Sequence, residues 1–221
     1  MKDFEKFARC NSNVSSTTLG KYSNVITNGW VSPTIIEERK ANVAQMDVFS
    51  KLIQERIIFL GTDIDADVAN IINAQLLYLD SVNNDEITLL INSGGGVCYD
   101  GLAIIDTMEY ISSPVITQCV GIAASMASVI LSSGEKGQRC ALPHSRVLIH
   151  QPLGGARGQC SDIQIEAQQI QLLKNELCGI LAENSGQSLD KIVKDCDRDY
   201  WMTAKEAKEY GLIDHIFTKK K

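Results

Sequence analysis

Three residue types, placed in order along the chain, have the makings of acyl-transfer chemistry. Ser125 lies in Gly121-Ile122-Ala123-Ala124-Ser125-Met126-Ala127-Ser128, where a β-branched run (Val115, Ile116, Val120) reaches a glycine and a helix of small, apolar residues follows. A serine at such a junction sits beside unpaired amide N–H groups, where developing negative charge is favoured. For its hydroxyl to attack a carbonyl, a base must take the proton, a further group must orient that base, and N–H donors must hold the oxyanion. His150 is the best base candidate, because it ends the strand expected over 146–150, ahead of Pro152 and the Gly154-Gly155 loop. His144 stands in a turn and His215 in the terminal strand. Asp195-Cys196-Asp197-Arg198-Asp199 offers the orienting carboxylate, and Gly94-Gly95-Gly96 offers a backbone that can approach a ligand closely with free N–H groups.

Each signal taken singly has a plainer explanation. A run of Ala and Ser at a helix start is more often close packing, a strand-end histidine is more often an inert edge residue, and an acidic run is usually a solvated helix end. The glycine run lacks the Gly-Lys-Ser/Thr ending of a P-loop. It also lacks a Gly-x-Gly-x-x-Gly pattern with an acidic residue about 20 positions on, so a nucleotide cradle is poorly supported. Three histidines and no Cys/His cluster at ligand spacing give no support to a metal site.

The elements that must position these residues follow from chain order. Residues 1 to about 33 are polar, rich in Ser, Thr and Asn, and without a sustained period, which reads as an arm, loose or ordered only against a partner. The folded part begins near Ile35, with a helix expected near 45–54. From Arg56 the chain alternates: a strand at 57–60, a helix at 66–79 capped by Asp65, a strand at 87–92, a helix at about 99–112, a strand at 115–120, and the helix after Ser125. In the first of these helices Val68, Ile71, Ala74, Leu77 and Tyr78 are spaced to form one apolar face. Apolar strands alternating with helices imply a largely parallel sheet covered on both faces, with functional loops at the strands' carboxyl ends. Shorter strands at about 138–142 and 146–150 come next. A long helix over about 161–184 then carries Ile163, Ala167, Ile170, Leu173, Leu177 and Leu181 on one stripe, either facing solvent or packing against another subunit. Ser188 caps a helix through about 195. Thr203-Ala204-Lys205-Glu206 is a capping box for a helix that Gly211 ends, and a terminal strand at 212–217 precedes a basic tail.

The 221 residues suffice for one sizeable domain, and 44% hydrophobic with 22% charged content is ordinary globular composition. A formal net charge of −6 argues against a nucleic-acid or anionic-membrane partner. No apolar run approaches the roughly 20 residues of a membrane span, and no secretory signal is visible at the start. Seven scattered cysteines without a Cys-x-x-Cys pair suit free thiols in a reducing compartment, the cytoplasm.

Several ordered blocks resemble one family. Ile91-Asn92-Ser93-Gly94-Gly95-Gly96, Ala123-Ala124-Ser125-Met126-Ala127-Ser128, Ala141-Leu142-Pro143-His144-Ser145-Arg146, Ile149-His150-Gln151-Pro152-Leu153-Gly154-Gly155, Asp197-Arg198-Asp199, Thr203-Ala204-Lys205-Glu206-Ala207 and Glu209-Tyr210-Gly211-Leu212 are similar to blocks of the Clp protease proteolytic subunits, ClpP. The resemblance runs from about residue 45 to 217. It implies the ClpP/crotonase-like α/β fold, with parallel sheet layers flanked by helices and a protruding handle over about 156–184, in a single domain over 34–221 behind an arm or propeptide over 1–33. It implies a serine endopeptidase with Ser125 as nucleophile, His150 as general base and Asp199 as orienting acid. The N–H groups of Gly96 and Met126 would form the oxyanion hole. Val97, in the strand after Gly96, and Pro152, Leu153 and Gly154 would pair with an extended peptide. Asp197 and Arg198 would couple ring contact to triad alignment. It further implies a homo-oligomer of two stacked heptameric rings, a tetradecamer enclosing a chamber. A hexameric Clp ATPase such as ClpX would feed it unfolded proteins, in cytoplasmic protein quality control. ATP is the partner's cofactor, and this chain needs none.

The sequence departs from the family where Gly94 stands in the usual place of proline, which should loosen the turn into the oxyanion hole. Asn42-Val43-Ala44-Gln45 lies where many members carry a charged axial loop, and the arm is longer than a short propeptide requires. Two other classes fit part of the pattern: a non-catalytic ring subunit, and an acyl-CoA enzyme of the crotonase type, which uses glycine N–H groups but no serine nucleophile.

Overall fold

The computed structural model describes residues 34–39 and 42–218, in two units, one ending at Glu55 and the other beginning at Arg56. The arm expected over 1 to about 33 and the basic tail Lys219-Lys220-Lys221 lie outside the described residues. In the first unit β1 (Thr34–Arg39) and β2 (Asn42–Asp47) pair antiparallel, with Thr34 opposite Asp47 and Arg39 opposite Asn42. Helix α1 (Val48–Gln54) follows. The helix expected near 45–54 therefore starts only at Val48. Asp47 caps it, its carboxylate accepting the Ser50 N–H at 3.0 Å, and the residues before Asp47 belong to the ladder.

The second unit alternates strands and helices as the periodicity implies: β3 (Ile57–Leu60), α2 (Ala66–Val82), β4 (Ile87–Ser93), α3 (Cys98–Tyr110), β5 (Val115–Ala124) and α4 (Met126–Ser132). After them come β6 (Cys140–Ala141), β7 (Arg146–Ile149), α5 (Cys160–Ser185), α6 (Leu189–Asp195), β8 (Tyr200–Thr203), α7 (Ala204–Tyr210) and β9 (His215–Ile216). One sheet runs β3-β4-β5-β6-β9 with every neighbour parallel, and β7 joins it beside the far end of β5. The β7–β8 pair is antiparallel. The fold is α/β with a mostly parallel sheet flanked by helices. Its core is the alternate set Ile58, Leu60, Ile87, Leu89, Ile91 and Cys119, while Ile57, Phe59, Thr88 and Leu90 between them are only half-buried.

Strand β5 outruns its expected end at residue 120. Its first part pairs with β6 through Gln118 and Cys119, and its last part pairs with β7 through Ile122, Ala123 and Ala124. Gly121 lets this happen: a Cβ there would lie 2.4 Å from Asn92 Oδ1, and that oxygen accepts the Ile122 N–H at 3.2 Å where the β4–β5 register shifts. The glycine thus admits a side chain across the sheet rather than stopping the strand.

Helix α2 corrects the expected apolar face. Ala69, Ile72, Leu76 and Leu79 are buried, whereas Leu77 and Tyr78 are 46% and 54% exposed and Ala74 faces out. Apolar residues occupy most of this helix's circumference, so two stripes satisfy the helical period equally well, and packing against α3 and β3 selects one. Helix α5 spans 26 residues, about 39 Å. Of its expected stripe Leu173, Leu177 and Leu181 are buried, but residues 161–169 are exposed throughout. Gly186, at φ 72°, ends it. Thr203 and Glu206 form the expected capping box at α7. The terminal strand is shorter than expected, only His215–Ile216.

Candidate active site

Strands β5 and β7 are parallel neighbours, so their carboxyl ends lie side by side. Ser125 follows the first and His150 the second. The Ser125 N–H donates to Leu148 O at 3.0 Å, which ties the two ends together. Ser125 itself sits at φ 54°, ψ −127°, a conformation that costs a non-glycine residue of order 1–3 kcal/mol. The turn is held from the other side by Ser128, whose N–H and hydroxyl both donate to Ser125 O. Strand β8 returns antiparallel to β7 with Tyr200 opposite Ile149, which sets Asp199 against His150. The result is one hydrogen-bonded line: His150 Nε2 lies 2.8 Å from Ser125 Oγ, and Nδ1 lies 3.0 Å from Asp199 Oδ1. With the proton on Nδ1 donated to the carboxylate, Nε2 is left as the acceptor for the serine hydroxyl.

Of the three aspartates in the acidic run, Asp199 alone touches His150. Asp195 is taken up by Lys191 and by the Tyr210 hydroxyl at 2.8 Å. Asp197 offers its carbonyl to Gln151 Nε2 at 3.0 Å, and the side chains of Asp197 and Arg198 are exposed. Neither makes an ion pair among the described residues.

The glycine loop lies against the serine turn. Gly95, at φ 99°, comes so near that a Cβ would stand 2.6 Å from both Ala124 O and Ser125 Cβ, and 3.0 Å from Met126 N. Gly96, at φ 151°, packs on the Ile64 backbone, where a Cβ would stand 2.1 Å from Ile64 O. Gly95 O takes the Ile64 N–H and Ile64 O takes the Val97 N–H, while the Gly96 N–H between them donates to no acceptor among the described residues. Met126 opens α4, a position whose N–H no intrahelical carbonyl takes.

No strand follows Gly96, which corrects that expectation. Val97 is the N-cap of α3, its N–H spent on Ile64 O and its carbonyl accepting the Gly101 N–H. Pro152, Leu153 and Gly154 run outside any strand, Leu153 with its side chain almost fully exposed. His144 and His215 are exposed and hydrogen-bond to none of the three aligned residues. Two residues not marked out by the sequence as site residues, Gln151 and Lys174, brace the segment after His150. Gln151 N donates to Cys196 O at 2.7 Å, its side-chain amide reaches Asp197 O, and Lys174 Nζ donates to Gln151 Oε1 at 2.8 Å. The sequence signals for Gln151 are its place next to His150 and its membership of a block that resembles the family. Among the described residues no group of His, Cys, Asp or Glu is arranged to hold a metal ion, and no helix is long and apolar enough to cross a membrane.

A serine, an imidazole and a carboxylate in hydrogen-bonded line, at the carboxyl ends of an α/β sheet and beside a glycine loop, place the molecule in the class of serine hydrolases. Comparison with known proteins narrows the class. The Clp protease family model matches residues 39–220. The ATP-dependent Clp protease proteolytic subunit of Bacteroides fragilis strain YCH46 is 57% identical over 100% of both chains, and that of Porphyromonas gingivalis W83 is 54% identical over 99% of both. The ATP-dependent Clp protease proteolytic subunit 1 of Salinibacter ruber is 49% identical, over 83% of this chain and 79% of the relative. The chain belongs to the Clp protease family and is a serine-type peptidase.

Proposed function

We propose that Ser125 is the nucleophile, His150 the general base and Asp199 the orienting acid of a serine endopeptidase that cleaves unfolded polypeptides to short peptides. The hydrogen-bonded line from Asp199 through His150 to Ser125 carries this assignment. His150 Nε2 takes the hydroxyl proton as Ser125 Oγ attacks the peptide carbonyl, and the imidazolium is stabilised by Asp199. The amide hydrogens of Gly96 and Met126 receive the oxyanion; removing one such donor typically costs about 10²–10³ in kcat. His150 then protonates the leaving amine, and water repeats the sequence on the acyl-enzyme. The segment Pro152, Leu153 and Gly154, which runs outside any strand with Leu153 exposed, takes the substrate as an added strand, with Val97 contributing through its second carbonyl lone pair. Main-chain pairing of this kind gives affinity with little sequence demand.

In the same assignment residues 34–221 form a single peptidase domain and residues 1–33 an arm or propeptide. The exposed first half of α5, within the handle of about 156–184, interlocks two stacked heptameric rings. Asp197 and Arg198 link the rings to the alignment of Asp199, and their exposure, without an ion pair among the described residues, supports a partner across an interface. A hexameric Clp ATPase such as ClpX feeds the chamber; that the relatives are called ATP-dependent supports a nucleotide-driven partner. Six described cysteines, all free, fit the cytoplasm.

The test is reaction with a serine-directed fluorophosphonate, read by intact mass together with native particle size. One adduct per chain on Ser125, absent in Ser125→Ala rings of unchanged size, is the expected result. An inert but fully assembled ring would make the chain a non-catalytic subunit instead.

A further inference from the structure

Two thiols that the hydrolytic mechanism does not use meet behind the site. Cys178 faces inward from α5 beside Leu177 and Leu181, and Cys196 closes α6 as its C-cap. They are 2% and 1% exposed, α5 and α6 pack on each other, and the Cys196 thiol is placed to donate to the Cys178 sulfur. Both also line the small cavity that reaches Ser125 and His150. The pair is wired to the site's backbone as well. Cys196 O accepts the Gln151 N–H at 2.7 Å, Gln151 follows His150, and Asp199 lies on the segment that Cys196 begins. From the α5 side Lys174, one turn before Cys178, donates to Gln151 Oε1.

The two sulfurs are chemically unequal. The hydrogen bond from Cys196 brings the Cys178 thiol down to about 7, against a burial that opposes it, and the charge of Lys174 adds to the effect. The same bond, together with burial, pushes the Cys196 thiol up. The Cys178 thiol is thus the more readily ionised of the two, and the other holds its proton beside it, which is the arrangement of an attacking and a resolving cysteine.

We propose that Cys178 and Cys196 are a peroxide-oxidised dithiol whose disulfide fastens α5 to the Asp199 segment and holds the peptidase in a low-activity state. The Cys178 thiolate attacks one oxygen of hydrogen peroxide; the S–O bond forms, the O–O bond breaks and hydroxide leaves, giving the sulfenic acid. Cys196 sulfur then attacks Cys178 sulfur; the S–S bond forms, the S–O bond breaks, and the departing hydroxide leaves with the Cys196 proton as water. In sum two thiols and one peroxide give a disulfide and two waters, and a dithiol reductant reverses the step by exchange. Closing a hydrogen-bonded contact to an S–S bond of about 2.05 Å draws the Cys196 backbone toward α5. Gln151 and Asp199 move with it, and a displacement of about 1 Å in a catalytic array can cost about 10²-fold in rate.

The experiment uses the assembled full chain, prepared reduced, treated with hydrogen peroxide and assayed on a short fluorogenic peptide. Activity should fall about tenfold or more and return with dithiothreitol. Non-reducing peptide mapping should show a Cys178–Cys196 cross-link lighter by two hydrogens. Cys178→Ser and Cys196→Ser, each judged against its own untreated rate, should resist peroxide, while Cys98→Ser should remain sensitive. A loss of activity without the cross-link, a cross-link with activity unchanged, or undiminished sensitivity in both serine variants would each overturn the proposal. Because the cross-link is read by mass in the unsubstituted protein, it can be judged even if a variant fails to assemble. It is also judged independently of whether Ser125 is the nucleophile.

Discussion

Tyr200 pairs with Ile149 in the antiparallel ladder of the second unit, and that register sets the Asp199 carboxylate 3.0 Å from His150 Nδ1. The carboxylate is itself well exposed, so its contribution is orientation of the ring and its tautomer rather than burial of a charge. Asp199→Asn should therefore leave the fold and the binding of short peptides intact. It should lower kcat by roughly 10²–10⁴-fold, because an amide can present its N–H to Nδ1 and favour the wrong tautomer. Steady-state hydrolysis of a short peptide separates the two constants. A kcat within a fewfold of the unsubstituted protein would remove Asp199 from the site.

Adjacent glycines in the loop should respond very differently to one methyl group. At Gly95 and Gly96 the backbone has positive φ, and a Cβ would meet the Ser125 turn or the Ile64 backbone at 2.1–2.6 Å, with no flexible side chain to give way. At Gly94 the nearest atom is Asp63 Oδ1 at 3.2 Å, the tip of a side chain that can swing aside. Gly95→Ala and Gly96→Ala should thus cost roughly 10²-fold or more in kcat, since the serine and the amide donors must shift. Gly94→Ala should stay within a fewfold. Fluorophosphonate labelling rates compared across the three variants test this, and equal rates would mean the loop does not set the oxyanion geometry.

What the sequence disclosed and what it withheld divide along physical lines. Element type was legible wherever a single period dominated: the strands from Ile57, Ile87 and Val115, the capping box at Thr203, and Gly211 as a helix stop all stand close to their expected places. It failed where two solutions were degenerate, as on α2, or where a tertiary contact decided, as at Gly121, whose role depends on Asn92 from another strand. The order serine, histidine, aspartate was visible in sequence. That His150 and Asp199 lie face to face follows from a β7–β8 register that no local pattern records. The Cys178–Cys196 contact was hidden for the same reason, since two cysteines scattered among seven carry no spacing signal.

Buried Arg139 and half-buried Asp214 form a fork that ties the start of β6 to the C-terminal segment. The guanidinium donates at 2.9 and 2.7 Å to the two carboxylate oxygens, and Arg139 Nη1 also reaches Ser132 O and Asn184 O. Burial of Asp214 opposes its ionisation, but the hydrogen bonds and charge of Arg139, with the Gly137 N–H, outweigh it and hold the carboxyl down to about 2. Because this folded value lies below the unfolded 3.8, the stabilisation is complete above about pH 4 and is lost as the pH falls toward 2. Discounted for residual solvent screening it amounts to about 1–2 kcal/mol. Urea unfolding followed between pH 6 and pH 2 should show this loss, and Asp214→Asn should be less stable at pH 6 while depending less on pH below 4. A parallel acid loss in the variant would assign the acid sensitivity to other carboxylates.

Helix α5 carries large apolar residues outside its own unit's core: Ile165 and Leu172 are 65% and 60% exposed, whereas Leu173, Leu177 and Leu181 are buried. A helix that carries large apolar residues beyond its own core is stable in water only at a cost, and burying each Ile or Leu against a partner recovers about 1.5–3 kcal/mol. If this stretch interlocks rings, Leu172→Asp places a charge in every copy of that contact without touching the unit's own core. The variant should fold with unchanged helix content by circular dichroism, yet sediment as particles of half the mass, and it should hydrolyse peptides far more slowly if that contact also supports the segment holding Asp199. Sedimentation velocity at micromolar concentration reads the outcome directly. Full-size particles of undiminished activity would place the assembly contact elsewhere on the chain and leave the exposed half of α5 a solvent-facing projection.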